Sequence, residues 1–96
     1  MNLNLEEIRN YLTTQPILRA WVFGSYARGE ETPDSDIDLL VDFDKSQTFG
    51  LFKFCSIIND LEDIAGKKID LVERSSVYPA IKEFIEKDKI LIYERV

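Results

Sequence analysis

The sequence predicts an α+β fold of the layered α/β kind, a small mixed sheet of three to four strands packed by helices. Three observations carry this expectation. Ile37, Leu39, Val41 and Phe43 alternate with Asp38, Leu40 and Asp42, the period of a strand with one consistently apolar face. Within 49–65, Leu51, Phe54, Ile58, Leu61 and Ala65 recur at spacings of three and four, the period of an amphipathic helix. The segments between such patterns are short and turn-rich, with no repeat, linker or low-complexity tract, so residues 1–96 read as one domain.

The remaining elements follow in order. Leu5, Ile8 and Leu12 share a helical face and Asn4 with Glu7 has capping-box spacing, which predicts a helix over 4–14 that ends on approach to Pro16. Ile17–Phe23 is a compact run of β-branched and aromatic residues broken by Arg19, a mostly buried strand stopped by Gly24. From Gly24 to Asp36 the chain is polar and turn-rich, with room for a short helix at Ser25–Arg28. Gly66 suits the residue after the 49–65 helix, and 67–72 makes a third strand. Val77 to Lys87, with Ile81, Phe84 and Ile85, reads as a last helix, and Ile90–Tyr93 as a short edge strand. Phe49, Phe52 and Phe54 are expected in the core, yet three so close cannot all face one side of a helix, which leaves one for a protein interface.

Composition limits the chemistry. A chain of 96 residues, 45% hydrophobic, supports one core but no separate substrate-binding domain, so further recognition must come from a partner. A net charge of -6 repels a phosphodiester backbone, and direct nucleic-acid binding is disfavoured. There is no histidine, which removes histidine general bases, Ser-His-Asp catalysis and imidazole zinc sites; carboxylates must do the acid, base or metal work. The single cysteine, Cys55, lies among Phe52, Phe54, Ile57 and Ile58 and reads as a buried, inert thiol. One cysteine, a polar and acidic stretch from Met1 to Asn10 and the lack of a membrane-length apolar run lead to the expectation of a soluble cytoplasmic protein with no leader and no membrane association.

The informative segment is Gly24-Ser25-Tyr26-Ala27-Arg28-Gly29, followed by Ser35-Asp36-Ile37-Asp38-Leu39. Gly24 leaves a strand where a side chain would block a ligand, so backbone N–H groups and the Ser25 hydroxyl can face an anion. Arg28 either offsets phosphate charge or is a solvated surface residue, and Ser35 joins the candidate phosphate contacts. Asp36 and Asp38 lie two apart at the mouth of a strand, with Cα atoms roughly 7 Å apart on one face, close enough to share a divalent ion. Oxygen-only ligands select Mg²⁺ or Mn²⁺. Asp70, flanked by Ile69 and Leu71, is a charge in an apolar strand that needs a partner, and a metal ion shared with Asp36 and Asp38 would supply one. Three carboxylates around a nucleotide suggest two ions that activate an attacking hydroxyl and stabilise the leaving pyrophosphate.

Simpler readings exist for each part. The glycines can be only a turn, and the aspartates only loop charges. A P-loop fails because no Gly-Lys-Ser/Thr follows, a dinucleotide fingerprint fails at Tyr26, and an EF-hand from Asp34 fails at Leu39 and Lys45.

In combination these residues resemble the nucleotidyltransferase superfamily related to DNA polymerase beta, and most closely its minimal nucleotidyltransferase branch. The pattern of Gly-Ser, ten residues, Asp-x-Asp and a later strand carboxylate is met by Gly24-Ser25, residues 26–35, Asp36-Ile37-Asp38 and Asp70. Tyr26 departs from it, since many relatives carry a basic residue there. The resemblance implies a nucleotidyltransferase fold, ATP as nucleoside triphosphate substrate, and an antitoxin that transfers AMP to a tyrosine of a HEPN-domain toxin partner. Two alternatives stay open: nucleotidylation of a small molecule, as in aminoglycoside-modifying relatives, and a non-catalytic antitoxin that neutralises its toxin by binding.

Overall fold

A computed structural model describes residues 3–95; Met1 and Asn2, the start of the polar N-terminal stretch, and Val96 lie outside the described residues. The elements run α1 (Leu5–Leu12), β1 (Ile17–Phe23), α2 (Ser25–Arg28), β2 (Ile37–Phe43), α3 (Leu51–Ala65), β3 (Ile69–Glu73), a 3₁₀ turn (Arg74–Ser76), α4 (Pro79–Asp88) and β4 (Ile90–Glu94). The sheet order is β3-β2-β1-β4. β1 runs antiparallel to β2 and β4, whereas β2 and β3 are parallel, so the sheet is mixed as expected. A parallel pair needs a crossover, and α3 supplies it.

The two faces of the sheet have different fates, and β2 shows why. Ile37, Leu39, Val41 and Phe43 point into the main core, where Ile8 and Leu12 of α1 and Ile57 and Leu61 of α3 cover them. Asp38, Leu40 and Asp42 point the other way. There Leu40 meets Trp21 and Ile85 in a second, smaller cluster bordered by Phe23, Val72 and Val77, so α4 covers only part of that face. A bulge between Ile17 and Arg19 lets both Ile17 and Ala20 reach the main core while Arg19 turns to the second face. At its far end Arg74 clasps Asp42 through two hydrogen bonds of 2.8 and 2.9 Å, Arg19 adds one of 3.1 Å, and the Arg74 guanidinium lies 5.0 Å from the Trp21 ring centroid.

Several expectations are corrected. α1 has no capping hydrogen bond from the Asn4 side chain and stops at Leu12, because the Thr13 and Thr14 hydroxyls donate back to the Asn10 and Tyr11 carbonyls ahead of Pro16. β3 begins two residues later than expected, and α4 begins at Pro79, since the 3₁₀ turn precedes it and proline suits a first helical turn. Cys55 is exposed: two residues from Ile57, it lies on the far side of α3. Phe49 and Phe54 pack on Phe43 at 5.0 and 6.0 Å between centroids, while Phe52 is 94% exposed, so the crowded aromatics divide as helical geometry requires. On α4 only Ile85 enters a core; Ile81 and Phe84 are exposed.

Candidate active site

β1 ends at Phe23, which pairs with Asp38 of β2, and Gly24 then turns the chain with φ 74° and ψ -149°, a region essentially reserved for glycine. The turn brings Gly24 against the Asp38 carboxylate so closely that a Cβ would collide with Oδ2. A side chain at this position would therefore displace the Asp38 carboxylate as well as strain the backbone. α2 follows, anchored by Tyr26, whose side chain is buried in the main core. That placement gives the departure at this position a packing role: the ring fills the main core, and its edge also lines a cavity of about 430 Å³ bounded by Gly29, Thr32 and Lys67.

Asp38 and Asp70 are register partners in the parallel β2/β3 ladder, so their side chains leave the same face. The ladder begins with Ile37, whose N–H donates to the Lys68 carbonyl at 3.0 Å, and Asp36, just before β2, lies near enough for its charge to act on Asp38. The sequence thus places three carboxylates at one end of the second face, beside Gly24. Asp38 is half-buried, whereas Asp36 and Asp70 are exposed. The expectation that Asp70 is a charge in a core is corrected. Ile69 and Leu71 are buried on the opposite face, and β3 is an edge strand whose Asp70 side opens to solvent. The Asp38 carboxyl titrates above its usual range, first through burial and then through the negative charges of Asp70 and Asp36; Arg28 pulls weakly in the other direction. As the side chains stand, no three His, Cys, Asp or Glu among the described residues are grouped tightly enough to enclose one metal ion.

The other candidates are occupied differently. Arg28 donates to Glu30 and to Asp88, each at 3.2 Å, and so ties α2 to the end of α4. The Ser35 hydroxyl accepts from the Thr32 N–H at 2.9 Å and is used inside the 32–35 turn. Ser25 follows Gly24 as the first residue of α2. The sequence reading missed what flanks the carboxylates. One cavity, about 320 Å³, runs between β3 and α4 with Asp70 on its wall beside Phe23, Val77, Tyr78 and Ile81. A second, about 220 Å³, is bounded by Gly24, Arg28, Phe84 and Asp88. The apolar spacing on α4 was the available signal, but spacing alone does not say whether a face meets a core or a cleft. Asp88 had none, being 60 residues from Arg28.

With this geometry in view, the comparisons with known proteins agree. The family profile described as a nucleotidyltransferase domain matches residues 5–92. Protein adenylyltransferase MntA of Thermococcus cleftensis is 36% identical over 98 residues, which cover 94% of this chain and 97% of that protein. A solved chain provisionally described as a minimal nucleotidyltransferase superposes with a TM-score of 0.72 at 31% identity, covering 93% of this chain and 96% of that one. A toxin-antitoxin crystal structure with AMP-PNP shares the fold, with a TM-score of 0.80 at 21% identity over 97% of this chain and 75% of that one. No helix among the described residues is long and apolar enough to cross a membrane. The motif, the strand register that unites its parts and these similarities lead to one assignment: the chain belongs to the nucleotidyltransferase domain family.

Proposed function

We propose that this protein transfers AMP from ATP to a tyrosine hydroxyl of a partner HEPN toxin, and by that modification acts as an antitoxin. The observation that carries the reading is the register pairing of Asp38 with Asp70 on one face, beside a glycine whose missing Cβ leaves room for the Asp38 carboxylate. The 36% identity to a protein named as a protein adenylyltransferase supports the reaction class, and the fold shared with a toxin-antitoxin assembly supports the setting.

Each residue then has a part. Gly24 and Ser25 face the triphosphate, and the glycine allows it to approach the backbone. Asp36 and Asp38 would hold Mg²⁺ or Mn²⁺, with Asp70 as a further ligand. The donor set suits such ions because it is all carboxylate oxygen. Burial raises the Asp38 pKa first and the charges of Asp70 and Asp36 add to it; a cation would relieve that added repulsion, and Asp36 and Asp70 are exposed enough to turn toward Asp38. Divalent ions bound there supply positive charge that offsets the triphosphate and eases ionisation of the acceptor hydroxyl. Asp70 sits nearest the acceptor and takes its proton. The acceptor oxygen bonds to the α-phosphorus, the bond from that phosphorus to the bridging oxygen breaks, and pyrophosphate leaves. Arg28 reaches the phosphates only if it gives up Glu30 or Asp88.

The test is direct. The protein is incubated with ATP labelled at the α-phosphate, Mg²⁺ and its HEPN-domain toxin partner. Label is expected on a tyrosine of that partner; an unlabelled partner, with both proteins folded, would overturn the proposal.

A further inference from the structure

We infer that Asp88 sets the affinity of the site for its nucleotide by competing with the triphosphate for Arg28. The inference rests on the reading that a triphosphate binds beside Gly24, and it names the contact that this triphosphate must displace.

Arg28 and Asp88 both line the cavity of about 220 Å³ whose wall includes Gly24, and among its described lining residues they are the only two that carry charge. Arg28 Nη1 donates to Asp88 Oδ2 at 3.2 Å, and its Nε donates to Glu30 at 3.2 Å. The two acids hold the guanidinium differently. Glu30 lies two residues along the same turn, so it travels with Arg28, and it stands outside the cavity wall. Asp88 comes from the end of α4 and is itself part of that wall. An anion entering beside Gly24 therefore meets an arginine whose charge is already answered by a carboxylate.

The pair is suited to exchange. Its side chains are 43% and 28% exposed, and a water-facing ion pair held by a single hydrogen bond contributes little. A triphosphate offers several charged oxygens, which the planar guanidinium can bind through parallel N–H groups. Arg28 also stands close enough to the acids for its charge to act on Asp38, which lies against Gly24. Asp88 is not free to follow it. The next residue, Lys89, donates its N–H to the Ile85 carbonyl at 2.9 Å and holds its ammonium 4.5 Å from the Trp21 ring centroid. The exchange thus moves the Arg28 side chain and leaves α4 in place. The same competition acts on pyrophosphate, which Asp88 helps to expel by reclaiming Arg28.

Isothermal titration of the full-length chain with AMP-PNP, inorganic pyrophosphate and adenosine, each with Mg²⁺, tests this. Asp88→Asn should tighten AMP-PNP and pyrophosphate binding about two- to fivefold and leave adenosine binding unchanged. Asp88→Ser, which removes the same carboxylate, should do likewise. Arg28→Gln should weaken both phosphate ligands about twofold or more, and adding Asp88→Asn to it should bring no gain. Unchanged or weaker binding of the phosphate ligands in both Asp88 variants would overturn the inference, as would a gain that extends to adenosine or survives Arg28→Gln. Failure of the underlying reading is recognised separately: no Mg²⁺-dependent AMP-PNP binding to the unaltered chain or to any variant would remove the nucleotide site, and the inference with it.

Discussion

Asp38 is held in an unfavourable place by its surroundings: half withdrawn from water, facing two like charges, and pressed against Gly24. A carboxyl whose folded pKa is raised binds its proton more tightly in the folded state. Stability therefore falls as pH rises from the unfolded value to the raised folded value, and the deficit persists at neutral pH. Asp38→Asn removes that deficit. It should raise stability at pH 7 by roughly 0.5–2 kcal/mol in urea melts, with the gain vanishing in acid, while AMP transfer falls by about 100-fold or more. A less stable variant at pH 7 would contradict this account. Gly24→Ala should cost about 1–3 kcal/mol from backbone strain alone, and more in the presence of Asp38 than in an Asp38→Ala background, because only the former adds the collision with Oδ2. Equal cost in both backgrounds would remove the steric half of the argument. At this scale the sequence was most legible where chemistry is local: Gly24-Ser25 and Asp36-x-Asp38 are spacings that any strand and turn convert into geometry. Asp70 was singled out by an argument from burial that its exposed position does not bear out. A strand carboxylate between two buried residues can face solvent when its strand is at an edge.

Among the elements, the two ends of the second sheet face show opposite uses of the same residue type. At the site end, Asp38 has negative neighbours; at the far end, burial works against the charge of Asp42, but hydrogen bonds from Arg74 and Arg19 outweigh it and hold its pKa below the usual carboxylate range. A lowered folded pKa contributes stability that is fully present above the unfolded value and is lost as pH falls through the folded one. Asp42→Ala should therefore destabilise by roughly 1.5–3 kcal/mol at pH 7 and lose most of that difference in strong acid, measured as paired denaturation curves across pH. A penalty independent of pH would show that packing, rather than the charge, is at stake. β2 and α3 were readable in advance because each has one buried face and a clean period. α4 was readable as a helix but not in its orientation: Ile81 and Phe84 have core spacing yet border clefts, since one residue, Ile85, fills the space over Trp21 and Leu40. Cys55 was misjudged from apolar neighbours in sequence, which on a helix point in different directions.

For the whole molecule, the layered arrangement separates structural support from chemistry. One sheet face is closed by α1 and α3, and the other is only partly covered, which leaves its site end open to ligands. The candidate residues can thus be altered with little threat to the main core. The double variant Asp36→Asn/Asp38→Asn should remain folded and still co-elute with the toxin partner in size-exclusion chromatography while failing to label it. Full neutralisation of toxicity by that variant would favour occlusion over catalysis. Sheet order was not legible, because alternation reports a strand's faces but not its neighbours, and the pairing of β1 with both β2 and β4 comes from contacts distant in sequence. That pairing bears on timing during synthesis. β1 delivers Gly24 to the site, yet one of its edges is completed only by residues 90–94, and Asp70 arrives only after the α3 crossover. A nascent chain that has not yet released residues 90–94 carries Gly24, Asp36, Asp38 and Asp70 but leaves one edge of β1 unpaired, so competence should appear only after those residues emerge.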